Sequence, residues 1–413
     1  MRRFLLACFI FSALLFCCPY KAFAYYDKNI SAEGGITLFS NIARGEVFDT
    51  AAKSGYKSSS AIIEASVIYN PQGSFYLVFN PYFSFDYNNF YEDKETSAYF
   101  NFTRAAAVYD NDLVFLEGGR FDFEKDTLRP FVYYGAYPQI DNKRPSSLDG
   151  ARAKLQIGAF TADTFFARPS HETQTDFTAG GIAEYNFFGA FKPQAFLYHK
   201  KEEYLSLILY GAGIDIAAED FLLSFTAAFN GGSRKQVYRT KTKDILLDNY
   251  ALNFNAAFKT ENNFGQTDFY LNVFYTPARE VNFTAISPNL DMGYIFGGMQ
   301  ICGVSVYDYY SQSGENELAL NATALKFNFR PYFLREFSFS ASAYGFNAPS
   351  LGKHFGNEID LGVFYVKSNF KIGLILGLFF GGDINLDGNI RLAPQEGGDI
   401  KKIGLNFSYD LPF

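Results

Sequence analysis

The sequence is poor in the residues that build disulfides and metal centres. It contains no tryptophan, three histidines and four cysteines in 413 residues. Three of the cysteines, Cys8, Cys17 and Cys18, lie close to the N-terminus, and Cys302 is alone in the rest of the chain. A lone cysteine can form neither an intrachain disulfide nor a cysteine zinc cluster. Both are therefore excluded from the main body of the chain.

The chain also lacks an excess of positive charge and long apolar runs. Lysine and arginine number 36 against 43 aspartates and glutamates, which gives a formal net charge of −7. This balance argues against nucleic-acid binding, which needs a basic face. Beyond the N-terminus there is no uncharged apolar run of about 18 residues, so no transmembrane helix is predicted.

The N-terminus has the order of a secretory signal. Two arginines follow Met1, residues 4–16 form an apolar stretch, and an Ala-Phe-Ala cleavage site ends at Ala24. The apolar stretch is too short for a spanning helix, which needs about 20 residues. We therefore expect a signal peptide over residues 1–24 and a single mature domain over 25–413.

Aromatic residues are abundant, and they recur at every second position. The 49 phenylalanines and 30 tyrosines make up 19% of the chain. Residues 75–85, 250–258 and 269–275 each place apolar side chains on one face and mostly polar or small ones on the other. Successive side chains of a strand point to opposite faces. The pattern therefore predicts strands with one apolar and one polar face.

The last segment, Lys402–Phe413, shows this alternation most clearly. Its odd positions, from Ile403 to Phe413, are all apolar, and its even positions are polar, glycine or proline. We expect this strand to pair with the first strand, near Ile30–Ser40, and to close the sheet.

Connections between the alternating segments are short and long in turn. Short connections are predicted at 70–73, 110–112, Gly158, 188–189, 217–220, 261–265, 331–336 and 368–369. Long connections are predicted at 44–60, 88–96, 124–149, 231–247, 278–317 and 382–399. Short turns at one end and long loops at the other are typical of outer-membrane barrels.

We therefore predict an all-β fold, a transmembrane antiparallel up-and-down β-barrel of about 18 strands, with 16 as the alternative count. A closed sheet satisfies the requirement that every backbone polar group in lipid be paired. A soluble β-sandwich is the competing fold, but it does not require a signal peptide followed by a wholly alternating chain.

Two predicted strands depart from regular alternation. Arg104 interrupts the apolar face that holds Phe100 and Phe102, which requires a bulge between them. Gly118 and Gly119 interrupt the next strand, where we expect a bulge or a close approach of two backbones.

Two short motifs flank the loop that follows those glycines. Gly119-Arg120 ends one predicted strand, and Asp149-Gly150 opens the next. In these motifs and in its terminal Phe413 the chain resembles the porin superfamily of outer-membrane β-barrels, in particular the alginate-export-like barrels.

The resemblance implies a location in the bacterial outer membrane, with lipid and lipopolysaccharide as surroundings. It also implies recognition of the terminal aromatic residue by the barrel insertion machinery, and inward folding of the 124–149 loop.

Positive charge is concentrated around that loop. If apolar side chains face lipid, their neighbours line the lumen. The predicted pore-lining residues are Arg120, Arg129, Lys143, Arg144, Arg152, Lys154, Lys326 and Arg330. Those before residue 155 would form a basic constriction that attracts anionic solutes. The alternative is a solvated external loop whose bases pair with Glu124, Asp126 and Asp141.

A second candidate site lies in the last long connection, which matches the first half of a calcium-binding loop. The position of the bidentate Glu is occupied by Pro394. A simple turn is the competing interpretation, and no other cofactor is predicted. The candidate oxygen ligands for Ca²⁺ are Asp383, Asn385, Asp387 and Asn389.

The sequence shows no nucleophile elbow, phosphate-binding glycine loop or metal-ligand cluster, so no enzyme activity is predicted. We predict a porin-like channel for passive diffusion of small hydrophilic solutes, including anionic ones. Two alternatives stay open. One is export of an anionic polysaccharide, which the family resemblance suggests. The other is a non-conducting surface barrel whose loops bind a ligand.

Overall fold

The computed structural model describes most of the chain after residue 29. The signal peptide, Lys143, Arg144, the candidate calcium ligands and Phe413 lie outside the described residues. The described ranges are 30–45, 56–90, 93–134, 147–170, 176–238, 241–279, 281–286, 289–290, 293–294, 300–301, 304–305, 317–318, 320–348, 353–382 and 400–411.

Eighteen antiparallel strands form one closed sheet, as predicted. Each strand pairs with the next along the chain, and the first pairs with the last, from Gly34 opposite Leu411 to Gly45 opposite Ile400. The first nine strands are β1 Ile30–Gly45, β2 Tyr56–Gln72, β3 Phe75–Phe90, β4 Asp93–Asp110, β5 Val114–Phe121, β6 Leu148–Ile157, β7 Phe160–Pro169, β8 Phe177–Tyr185 and β9 Phe191–Lys201. The remaining nine are β10 Leu205–Ala218, β11 Phe221–Tyr238, β12 Lys241–Asn262, β13 Gly265–Tyr275, β14 Asn321–Pro331, β15 Phe337–Ala348, β16 Lys353–Lys367, β17 Phe370–Gly381 and β18 Ile400–Leu411.

The alternating sequence separates an outer from an inner face. On β18, Ile403 and Leu405 are 53% and 51% exposed, whereas Lys402 between β17 and β1 is 0% exposed. Exposed apolar side chains of this kind cover the outside of the wall, whereas the inner face carries polar and charged side chains together with a buried apolar cluster that includes Phe196, Leu207 and Phe274. The apolar outer surface matches a wall that faces lipid.

The two ends of the barrel differ in their connections. At one end, which we call the turn end, every connection leaves two to five residues between strands, as at 219–220 and 332–336. The opposite end, which we call the loop end, has the long connections, such as 122–147, and also short ones at 91–92, 202–204 and 239–240.

Two predicted long connections, 88–96 and 231–247, are wrong, since β3 runs to Phe90 and β4 starts at Asp93, and β11 runs to Tyr238 and β12 starts at Lys241. In both, polar residues continue the ladder beyond the apolar band, as with Asn89 opposite Lys94 and Lys235 opposite Asp244.

The height of the wall is uneven. Strands β1–β4 have 16 to 18 residues, whereas β5 has 8. Because β5 pairs with β4 only from Ala105 to Asp110, the chain leaves the wall at Phe121 while β4 continues. The long connection that follows therefore starts inside the height of the barrel.

The predicted bulge before Arg104 is present. Across β3 and β4, Arg104 lies opposite Asn80 and Phe102 opposite Pro81, which leaves Thr103 without a register partner. The extra residue switches Arg104 to the inner face, where its guanidinium bonds Glu117 at 2.7 Å.

The close backbone approach predicted at the glycine pair is also present. Gly119 has a φ of +126°, and a Cβ added there would lie 2.4 Å from the carbonyl oxygen of Ala105. A Cβ added to Gly118 would meet nothing within 4 Å. The absence of a side chain at Gly119 thus permits the close approach of β4 and β5 just before the chain turns inward.

We expect Gly119→Ala to impair folding of the barrel, because the new methyl group clashes with the β4 backbone and φ is unfavourable for alanine, at a cost of about 2 kcal/mol or more. The measurement is the fraction of the protein that stays folded in a denaturing detergent when the sample is not heated. Gly118→Ala is the matched control and should behave as the parent chain. Equal behaviour of the two variants would contradict this account of the glycine pair.

Candidate functional site

Residues 122–134, which we call the inner segment, lie inside the barrel. Phe123 and Tyr134 exchange two backbone hydrogen bonds of 2.6 and 2.9 Å, and the helical turn Asp126–Leu128 lies between them. The segment contacts inner-face side chains of the wall, as in the bond of 3.0 Å from Thr127 Oγ1 to Gln194 Oε1 on β9. The expected inward folding of the 124–149 loop is therefore present over its described part.

Phe131 is the aromatic anchor of the inner segment. Its side chain is fully buried, and its ring centroid lies 6.4 Å from Phe196, 6.1 Å from Phe274 and 5.9 Å from Phe283. Aromatic pairs at such distances contribute about 0.5–1.5 kcal/mol each beyond their burial. Phe131 therefore fixes the segment against β9 and β13.

A second group of residues enters the lumen after β13, and it covers Phe131. We call residues 281–286, 289–290 and 293–294 the crossing residues. The amide of Ile286 donates to the carbonyl of Phe131 at 3.0 Å, and that of Asn289 donates to the carbonyl of Arg129 at 2.9 Å. The two inward parts of the chain are thus bonded to each other through their backbones.

The crossing residues contact widely separated strands. The side-chain nitrogen Nδ2 of Asn249 on β12 donates to the carbonyl of Val281 at 2.9 Å. At the other end the amide of Tyr294 donates to Asp360 on β16 at 3.1 Å, and Lys402 on β18 donates to the Tyr294 carbonyl at 3.1 Å. The interior is therefore partly filled from β12 across to β18.

Charged side chains beside the inner segment pair with one another. Arg152 forms a two-pronged pair with Asp163, with N–O distances of 3.0 and 2.8 Å. Arg104 lies 2.6 Å from Glu117, and Glu117 also faces Arg152 at 3.9 Å. These charges alternate in sign along the inner wall and neutralise one another.

The inner segment joins this network through Lys125. Its ammonium lies 3.1 Å from Glu184 on β8 and 3.9 Å from Asp163 on β7. One guanidinium nitrogen of Arg152 donates to the carbonyl of Asp122 at 3.2 Å. These contacts therefore fix the start of the inner segment, in addition to the packing of Phe131 farther along it.

The structure places the predicted pore-lining bases in different settings. Arg152 and Lys154 share the inner face of β6. Arg120 pairs with Asp149 at 2.6 Å, and strand alternation puts Asp149 on the face opposite to Arg152. Arg129 lies over the ring of Tyr133 at 5.3 Å within the inner segment.

The two remaining described bases lie on β14, away from the inner segment. Lys326 lies between the rings of Tyr270 and Tyr344, at 5.8 and 5.9 Å from their centroids. Arg330 is exposed nearer the turn end and lies opposite Gln266. The described bases are therefore not gathered into one basic constriction, since Arg120 and Arg152 pair with carboxylates of the wall and Arg129 lies against Tyr133.

Three residues that matter here were not identified from the sequence. Glu117 and Asp163 are buried carboxylates whose role depends on a register between strands, which no single-sequence pattern gives. Phe131 had a signal, since it stands in an apolar and aromatic run within an otherwise polar connection. Such a run predicts a buried contact and not a solvated loop.

None of the helices in the described part of the chain is long and apolar enough to cross a membrane. Within the same part, no three His, Cys, Asp or Glu side chains are arranged to hold a metal ion. The candidate calcium ligands stay a prediction, because residues 383–399 lie outside that part.

Solved structures with the same barrel are outer-membrane porins of Pseudomonas aeruginosa. OccK7 (OpdD) has a TM-score of 0.58 and 14% identity, over 93% of this chain and 100% of that one. The chain has the fold of an outer-membrane porin. OccK5 (OpdH) has a TM-score of 0.57 and 9% identity, over 92% and 99%. OccK2 (OpdF) in complex with glucuronate has a TM-score of 0.53 and 12% identity, over 92% and 99%.

No family model and no curated protein matches the sequence. The porin part of the predicted resemblance is confirmed at the level of fold, whereas the alginate-export-like subtype is not supported by these neighbours.

Arg152→Met should destabilise the barrel by about 3 kcal/mol, because Asp163 stays buried without its bidentate partner. The double variant Arg152→Met, Asp163→Asn should recover much of this loss. The measurement is a double-mutant cycle of urea unfolding in lipid vesicles. Arg168→Met is the control, since Arg168 is exposed on β7. A coupling energy below about 0.5 kcal/mol would contradict the pairing.

Asp122 is half-buried where the chain leaves β5, with its carboxyl oxygen Oδ1 shielded from solvent. Its Oδ1 contacts no hydrogen-bond partner among the described residues. Burial, followed by the negative charge of Glu124, raises the pKa of Asp122 from 3.8 to about 7. The folded chain therefore favours the neutral acid below about pH 7.

Comparison with Asp122→Asn tests this shift. The protonated acid stabilises the folded state at low pH, and this contribution is lost as the pH rises from about 4 through about 7. The free energy of unfolding of the parent chain should therefore fall relative to Asp122→Asn over that range and level off above it. A difference that is constant with pH, or that rises, would show that Asp122 is not buried as described.

Proposed function

We propose that the chain is an outer-membrane channel through which small hydrophilic solutes, including anionic ones, diffuse passively. The observation that carries the proposal is a closed 18-stranded wall with an apolar outside and charged side chains on its inner face, narrowed by the inner segment. A barrel of 16 to 18 strands is too wide for wall side chains to fill, and porins of that size enclose an aqueous channel.

The orientation follows from the connections. In outer-membrane barrels the short turns face the periplasm and the longer loops face outward. The turn end of this barrel would then lie in the periplasm, and the inner segment would descend from the outer side to the middle of the wall. Lipid and lipopolysaccharide would surround the exposed apolar face. Recognition of the last strand by the insertion machinery stays a prediction.

The inner segment would set the size limit, and the paired charges would orient polar solutes. The alternating signs of Arg104, Glu117, Arg152 and Asp163 give a field across the passage with little net charge. Such a field favours polar and charged solutes over apolar ones. The concentration gradient supplies the driving force, and no bound cofactor or enzymatic step is needed.

Anionic solutes belong to the proposal on two grounds. One neighbour of the same fold has been solved in complex with glucuronate. In this chain Lys154 and Arg330 stand on the inner face without a described ion pair. Export of an anionic polysaccharide is less well supported, because it would need a continuous series of unpaired bases through the lumen.

Single-channel recording in planar bilayers tests the proposal. We expect steady conductance in the parent chain and a larger conductance in Phe131→Ala, since loss of the aromatic anchor frees the inner segment from β9 and β13. Phe166→Ala is the matched control, because Phe166 is 63% exposed on the outer face. Absence of conductance in the parent chain would overturn the proposal and favour a surface barrel that only binds ligands.

A further inference from the structure

A cavity lies on the inner wall below the inner segment, near the turn end. It encloses about 340 Å³, which is within the range of small-molecule sites. Three neighbouring strands form it, together with the turn between β4 and β5. The residues that line the cavity are Asp110, Asn111, Asp112, Leu113, Val114, Phe115, Arg152, Lys154 and Gln156.

Strand register fixes the order of charges in the cavity. Asp110 on β4 lies opposite Phe115 on β5, and Phe115 lies opposite Lys154 on β6. Neighbouring strands are about 4.8 Å apart, so the Cα atoms of Asp110 and Lys154 are separated by roughly 10 Å. A negative group, an aromatic ring and a positive group therefore stand side by side on the inner face.

The charges in the cavity differ from those beside the inner segment in one respect. Asp110, Asp112 and Lys154 make no ion pair or side-chain hydrogen bond with the described residues. Arg152, by contrast, is committed to Asp163 and stacks over Phe115 at 5.7 Å. The charged side chains of the wall beside the inner segment are thus paired with one another. Just below that segment, side chains of both signs are left to bind a solute.

The turn that forms the lip of the cavity is held in place. The side-chain oxygen of Asn111 accepts hydrogen bonds from the amides of Leu113 and Val114 at 2.9 and 2.7 Å. Its amide nitrogen donates to the hydroxyl of Tyr109 at 2.8 Å. Asn111 is therefore occupied with the turn, which keeps Asp110 and Asp112 beside Phe115.

We propose that this cavity is a binding subsite for zwitterionic solutes with an apolar body, such as aromatic amino acids. The solute carboxylate would pair with Lys154, its ammonium with Asp110, and its body would lie against Phe115. The inference deepens the proposed channel function and rests on it, since the solute reaches the cavity through the lumen.

The balance of charges is what favours a zwitterion. A simple anion would meet Lys154 but also the carboxylates of Asp110 and Asp112. A simple cation would meet those carboxylates but also Lys154 and Arg152. Only a solute that carries both signs pairs with one group at each end and leaves no repulsive contact uncompensated.

Block of the single-channel current tests the subsite with three related probes. Phenylalanine carries both charges at pH 7, 3-phenylpropionate lacks the ammonium, and phenethylamine lacks the carboxylate. Loss of one charge-assisted contact weakens binding about tenfold or more. We expect phenylalanine to block the current at about tenfold lower concentration than either of the other two.

Two variants remove one end of the subsite each. Lys154→Met should abolish the preference for phenylalanine over phenethylamine, and Asp110→Asn should abolish its preference over 3-phenylpropionate. The controls are Lys371→Met and Asp410→Asn, at turn-end positions outside the cavity, and both should retain the two preferences. Each test variant should lose one preference and keep the other. This pattern distinguishes a lost contact from a general defect in folding, which would affect both preferences.

Four outcomes would overturn the proposal. Equal block by phenylalanine and 3-phenylpropionate would indicate a plain anion site. Equal loss of preference in the control variants would indicate a non-specific effect of charge at the turn end. Normal conductance without preferential block would remove the subsite alone, whereas absence of conductance would remove the channel function itself.

Discussion

Pairing of the first strand with the last is the constraint on which the rest of the structure depends. A membrane offers no hydrogen bonds to an open sheet edge, so the 18 strands are stable in lipid only as a closed ring. Closure fixes the register of every strand, and register fixes which side chains face inward. The inner positions of Arg152 and Lys402 follow from it, as does the switch of Arg104 at the Thr103 bulge. A ring of this size also leaves an interior that the wall cannot fill.

The chain fills part of that interior with its own connections. Phe131 packs against rings of the wall, and the backbone bond from Ile286 joins the two inward parts. The charges of Arg104, Glu117, Arg152 and Asp163 beside them are paired, so the wall at this level is close to neutral. In the proposed channel, selectivity depends less on how many bases the sequence contains than on which bases lack a carboxylate partner.

Much of the fold is predictable from the sequence, because the alternation of apolar and polar residues can be recognised within one short stretch of the chain. The strands, the short turns and the closing pair follow from alternation. The bulge at Arg104 follows from the interruption of that alternation. The false connections at 88–96 and 231–247 arose because polarity marks the edge of the apolar band and not the end of pairing. Partners such as Glu117 and Asp163 depend on register across strands, so the sequence could not show that, among the described residues, Arg152 of the predicted basic cluster forms ion pairs whereas Lys154 does not. Lys143, Arg144 and the candidate calcium ligands stay predictions.

Amide hydrogen exchange of the barrel in lipid vesicles tests the central claim most directly. If the inner segment is fixed inside the barrel, the amides of Leu128, Phe131 and Ile286 exchange far more slowly than those of a solvated loop, because each donates to a backbone carbonyl inside the barrel. Exchange of these amides at the rate of an unstructured peptide, while the strands stay protected, would show that the segment does not constrict the lumen.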